Sequence, residues 1–214
     1  MGINCISSKK ILLLTLLLGF TIMANAQIDV ISEKIYNANL KINSISASFI
    51  QTKRIAFMQG DVTSNGSFFY EKPDKLAMKY DKPAGDLMIL NEDQFVMIAD
   101  GKYSKRSVKQ NSNVSQLQNI LSSCLHGDFK KMNASEFKHV ENAQQYIITA
   151  NLNKASDNSA IEQVVISYDK SDMALSSLQT IESDGSFTLY RLENKKLNTS
   201  FDESVFVAPE KQKK

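Results

Sequence analysis

Apolar positions along the chain change their period twice. Ile28, Ile31, Ile35, Ala38 and Ile42 recur at alternating intervals of three and four, the mark of an amphipathic helix. From Ser44 the interval falls to two, and Ile45, Ala47 and Phe49 share one face of a strand with small polar residues opposite. Further strands are predicted over 67–72, 75–81, 86–90, 94–99 and 103–109, joined at KPD, KPAG, NED and DGK. Joints this short make neighbouring strands antiparallel. The helical period returns at Val114, Leu117, Ile120, Leu121, Cys124 and Leu125, with Gly127 placed to end that helix. Strands resume over 144–152, 161–169, 175–182 and 186–193, the last two joined at Asp184-Gly185, and VFVAP reads as a short final strand before the solvated tail EKQKK. His139 falls in a loop or at a strand edge. With no internal repeat and no linker, the pattern predicts one α+β domain built on a long antiparallel sheet.

The stretch YEKPDKLAMKYDKP sharpens the picture. Leu76, Met78 and Tyr80 alternate with Lys75, Ala77, Lys79 and Asp81, and on the partner strand Phe68, Tyr70 and Lys72 share a face. One face is apolar, with a cation at its margin. A sheet of about ten strands curls or closes rather than staying flat. If it curls halfway, its concave face needs a cover, and the two amphipathic helices are the segments able to supply one. Met78, Met88 and Met97 all fall in strands, and methionine suits a surface that adapts to flexible apolar ligands as well as it suits a dry core.

Residues 1–26 read as a secretory signal peptide: Lys9 and Lys10, an apolar run, and the A-x-A site of Ala24 to Ala26, with cleavage expected after Ala26. The remaining 27–214 would form a single domain. Removing Lys9 and Lys10 leaves 23 basic residues against 23 acidic ones, so no nucleic-acid footprint is present. Cys124 then stands as the one cysteine, and its helical apolar position makes it a small hydrophobe rather than a nucleophile. No G-x-S-x-G, H-E-x-x-H, C-x-x-C or phosphate-binding glycine loop occurs, and His126 and His139 belong to no ligand-spaced cluster. The sequence therefore points to no catalytic residues, no metal and no cofactor.

Taken in order, ISASFIQTKR, GSFFYEKPDKLAMKYDKP, GDLMILNEDQFVMIADGK and the carboxy-terminal run from IEQVVISYDK to FVAP resemble the LolA family of periplasmic lipoprotein carriers, over roughly 44–209. The resemblance implies an unclosed half-barrel of about eleven antiparallel strands, with helices as a lid over a hydrophobic cavity. It implies a soluble periplasmic carrier that takes acylated lipoproteins from an inner-membrane ABC transporter to an outer-membrane acceptor or to the outer membrane itself. A carrier that must present its rim to two partners in turn is expected to be a monomer. By position, the family's cavity residues after the turn fall on Leu76 and Met78, where aromatic residues are frequent in the family. The acyl-binding set expected here is Phe49, Phe68, Tyr70, Leu76, Met78, Tyr80, Leu117, Ile120 and Leu121. The family's lid-contacting arginine falls on Lys72, which becomes the expected lid latch. These substitutions leave room for a different acylated cargo, such as a glycolipid or pigment ester. A membrane-tethered acceptor is disfavoured because no cysteine follows the apolar leader, and a hydrolase because no nucleophile–base pair is found.

Overall fold

The computed structural model describes residues 28–153 and 161–210; the leader expected over 1–26 lies outside the described residues. Helix α1 occupies residues 28–39. Six strands follow: β1 (Ser44–Arg54), β2 (Val62–Glu71), β3 (Lys75–Lys82), β4 (Leu87–Asn91), β5 (Gln94–Ala99) and β6 (Lys102–Ser107). Helix α2 (Ser112–His126) and a 3-10 turn (Phe129–Lys131) precede β7 (Ala134–Glu141), β8 (Gln145–Leu152), β9 (Ile161–Asp169), β10 (Leu175–Glu182) and β11 (Phe187–Leu197). All eleven strands form one antiparallel sheet in the order β6-β5-β4-β3-β2-β1-β11-β10-β9-β8-β7. Each half is a plain meander, and the halves are sewn together along β1 and β11. The edges, β6 and β7, do not pair, so the sheet is a half-barrel. Because α2 is the segment between those two edges, the chain carries this helix across the open face from one rim to the other.

Strand alternation sorts side chains onto two faces. The concave face carries Ile45, Phe49, Phe68, Tyr70, Leu76, Met78, Leu90, Phe95, Ile148, Val164, Ile166 and Tyr168, all buried in one cluster with Ile31 and Ile35 of α1 and Ile120, Cys124 and Leu125 of α2. Burial raises the Cys124 thiol pKa and keeps it inert, as its helical position predicts. The convex face has a smaller cluster in which Phe206, with Phe201 and Val205, covers Ala77, Ile89 and Phe69. Lys75 fastens this carboxy-terminal segment through Glu203, 2.8 Å away.

The structure departs from the sequence pattern in four places. Strand β7 is absent from the pattern because it is an edge strand, wet on most of its length, so ASEFKHVE shows no clean alternation; His139 sits within it. The segment VFVAP is not a strand: residues Glu203–Phe206 form a 3-10 turn that drops Phe206 onto the convex face. Ile42 is buried, as its spacing requires, but lies beyond the end of α1. Strand β2 begins at Val62 rather than 67, its first half being polar.

Candidate functional site

Register turns the concave face into ordered rows. One runs Ile45, Tyr70, Leu76, Leu90, Phe95 across β1 to β5. The next runs Ala47, Phe68, Met78, Met88, Met97 across the same strands. A third places Phe49 and Tyr80 on either side of Gly66, and with no side chain between them their rings meet edge-to-face at 4.9 Å. A Cβ on Gly66 would collide with the Lys79 carbonyl, where β2 and β3 slip register. Rows from β8 to β10, including Ile148, Ile166 and Leu178, form the opposite wall.

Helix α2 lies on the first wall. Leu121 and Leu125 face Tyr70, Leu76 and Leu90, and Leu117 faces Met88, Leu90 and Phe95. The gap left against Tyr70 and Leu76 is about 10 Å³, space for roughly one water. In this conformation the cavity implied by the resemblance is therefore filled by the helices' own side chains. An open cleft of about 250 Å³ of mixed character remains beside the first half of α2, lined by Asn113, Gln116, Lys131 and Asn133 together with Ile120, Met132 and Leu152.

The helices are tied to the walls by side chains. Lys72 Nζ donates to the carbonyls of Asn39 (2.7 Å) and Leu40 (3.1 Å), at the end of α1 where carbonyls lack helical partners and the helix dipole favours a cation. Asn39 Nδ2 donates to the Met173 carbonyl at 2.7 Å. On α2, the buried Tyr168 hydroxyl donates to the Cys124 carbonyl at 2.6 Å. His126 places Nε2 2.6 Å from the Tyr70 hydroxyl and Nδ1 3.2 Å from Ser122 Oγ. Helix α2 begins with the Asn111 side chain accepting from the Val114 N–H and ends at Gly127, φ 69°. Gly127 touches α1: a Cβ there would stand 2.8 Å from Ile35 Cγ2.

Burial holds the His126 pKa below its ordinary value, helped by the positive charges of Lys72 and Lys131 and opposed by Asp128. The unfolded chain therefore takes up this proton first. The stability contributed by neutral His126 is present above about pH 6.5 and is lost as pH falls below that value. Thermal unfolding should consequently shift down between pH 7 and pH 5, with a smaller shift in His126→Gln. Equal shifts in both proteins would remove His126 from this account.

Among the described residues no group of three His, Cys, Asp or Glu side chains is placed to hold a metal, and no helix is long and apolar enough to cross a membrane. What the geometry offers is an apolar trough with a helical cover. Over residues 40–209 the chain matches the family described as outer membrane lipoprotein carrier protein LolA. The chain belongs to the LolA family. This is a family of carriers rather than enzymes, and the half-barrel expected from the resemblance is the one the sheet forms. No curated protein matches. Solved structures with similarity to this LolA-family chain include three at low identity. The lipoprotein LppX of Mycobacterium tuberculosis has 11% identity over 80% of this chain and 95% of its own, TM-score 0.46. LprF of Mycobacterium bovis has 7% identity over 83% and 95%, TM-score 0.44. A LolA superfamily protein of Nitrosomonas europaea has 7% identity over 83% and 97%, TM-score 0.42.

Of the residues named from sequence, Phe49, Phe68, Tyr70, Leu76, Met78 and Ile120 are buried in the concave cluster, and Tyr80, Leu117 and Leu121 pack against it half-buried. Sequence reasoning missed Leu90 and Phe95 on the same wall and the whole β8–β10 wall. Alternation in QYIITANL, with Tyr146, Ile148, Ala150 and Leu152 inward, was the available signal.

Proposed function

We propose that this LolA-family protein carries the acyl chains of lipoproteins on its concave face, across the periplasm, from an inner-membrane ABC transporter to the outer membrane or an acceptor there. The supporting observation is a deep apolar trough whose cover is fastened to its walls by a handful of side-chain hydrogen bonds, not by main-chain pairing. Cargo and cover then compete for one surface. Burying a methylene contributes roughly 0.8 kcal/mol, so an acyl chain of about fourteen contributes on the order of 11 kcal/mol, and it will not cross water uncovered. The leader cleaved after Ala26, the monomeric state, the acyl contacts of Phe49, Phe68, Tyr70, Leu76, Met78, Tyr80, Leu117, Ile120 and Leu121, and the latch at Lys72 all belong to this reading.

The buried position of Leu76 guides the choice of test: Leu76→Glu would place a carboxylate in the closed core and disturb folding as well as binding. Native mass spectrometry of protein purified gently from its own periplasm avoids that confusion. An acylated peptide or lipoprotein should travel with the chain. A glycolipid or pigment ester found instead would move the reading to a carrier of other acylated cargo. Failure of both co-purified and added acyl probes to bind would end the carrier reading.

A further inference from the structure

The two apolar rows of the first wall do not stop at an apolar residue. The methionine row passes from Met78 (3% exposed) through Met88 (8%) to Met97 (36%), and its next partner on β6 is Ser104. The neighbouring row passes from Leu76 through Leu90 and Phe95, and its next partner is Arg106. Ser104 and Arg106 are two residues apart on one strand and so share the concave side, where the Arg106 Nε lies 3.4 Å from Ser104 Oγ. Lys102 follows the same alternation. The trough thus opens at one rim onto a hydroxyl and a guanidinium, with an ammonium further along.

Charge at the two rims is unequal. From Gly101 to Gly127 the chain carries Lys102, Lys105, Arg106 and Lys109 and no Asp or Glu. Among the described residues Arg106 has no carboxylate partner; its one hydrogen bond is to Ser104. On the opposite rim, β7, Lys138 pairs with Glu136, and Glu141 pairs with Lys170. One edge is neutralised within the protein. On the other, Asp93 accepts from Ser107 Oγ and the Lys109 N–H beside the Lys109 charge, and Arg106 keeps its donors in reserve near exposed methionine.

We infer that the cargo enters over the β6 rim, an acyl chain lying along Met97, Met88 and Met78 while an anionic head group, phosphate or carboxylate, is held by Arg106 and Ser104. This inference rests on the carrier reading and deepens it by naming the charge of the cargo. From Ser104 to Phe68 the row crosses four strand spacings, roughly 19 Å, a length suited to a long acyl chain. Methionine's unbranched, polarisable side chain accommodates a sliding apolar ligand. The guanidinium fork offers an oxyanion two parallel hydrogen bonds. Cations on an edge strand also discourage sheet-to-sheet pairing. That role depends on charge at the edge and not on the face, so Lys105, which alternates onto the convex side with Tyr103, separates the two explanations.

The experiment compares equilibrium binding of lysophosphatidic acid and of monoacylglycerol with the same acyl chain, which differ in the phosphate. The wild-type chain should prefer the phosphate-bearing probe by about tenfold at low salt, less as salt screens the contact. Arg106→Gln should cut that preference to about twofold with monoacylglycerol binding unchanged, and Lys105→Gln should leave it intact. Equal affinity of the wild-type chain for both probes would overturn the inference and spare the carrier reading. Loss of preference in Lys105→Gln as large as in Arg106→Gln would do the same, reducing the effect to diffuse edge charge. Absence of binding by both probes would remove the carrier reading and this inference together.

Discussion

Gly127→Ala is expected to destabilise the protein by roughly 3 kcal/mol, read as a lower denaturation midpoint. Gly127 ends α2 in the left-handed region at φ 69°, where a Cβ costs about 1–2 kcal/mol. Its hydrogen also faces α1 at close quarters: a Cβ would stand 2.8 Å from Ile35 Cγ2 and 3.1 Å from the Tyr36 nitrogen. Ile35 is fully buried, so it has little room to give, and overpacking of this kind costs about 1–3 kcal/mol. Gly127→Asn tests the parts separately, because asparagine tolerates the left-handed backbone but not the contact. It should fall between wild type and Gly127→Ala if the side chain turns outward. A loss below about 1 kcal/mol in Gly127→Ala would mean that the two covering helices do not meet as tightly as the structure places them.

Lys72→Met should raise affinity for an acyl probe by up to roughly thirtyfold while lowering thermal stability. The ammonium donates two charged hydrogen bonds to the end of α1, and methionine keeps the apolar stem without the donors. Charge-assisted bonds contribute about 1.5 kcal/mol or more each, reduced here because the group is partly in water, so a total of about 2 kcal/mol is reasonable. If cargo binds only the opened form, weakening the closed form by that amount raises the open fraction, and with it apparent affinity, by about thirtyfold. Lys72→Arg should act in the opposite direction, its planar fork meeting both carbonyls at once. Affinities unchanged in both variants would show that the α1 contact does not gate the trough.

The sequence disclosed the trough better than its closure. Alternation through Leu76, Met78 and Tyr80 is visible because the residues opposite include the charged Lys75, Lys79 and Asp81, although Ala77 among them is buried beneath Phe206. The 3-4 spacing of α2 marks it as a cover because one side of that helix is dry and the other wet. Strand β7 escaped because an edge strand has little to bury. Phe206 escaped because VFVAP looks like a strand to any reading of propensity, although its task is to cap the convex face. The contacts of Lys72 with Asn39 and Leu40, and of Tyr70 with His126, join residues tens of positions apart; no local period encodes them. Nor does any period tell whether an apolar face is filled by ligand or by the protein's own helices.

The seam between β1 and β11 also governs how the molecule assembles. Every other strand pairs with the strand next to it in sequence, apart from the two rims joined by α2. Five strand pairs on one side and four on the other can therefore zip locally, but the seam waits for partners such as Ile45 and Leu197 to find each other across the whole chain. Closing so long a loop before any contact rewards it slows folding. Until it closes, β1 is an exposed edge carrying Ile45 and Phe49, and the chain stays open along its middle. Under the periplasmic reading proposed above, in which the chain crosses a membrane before it folds, that arrangement gains time: the final stitch is the last strand to emerge.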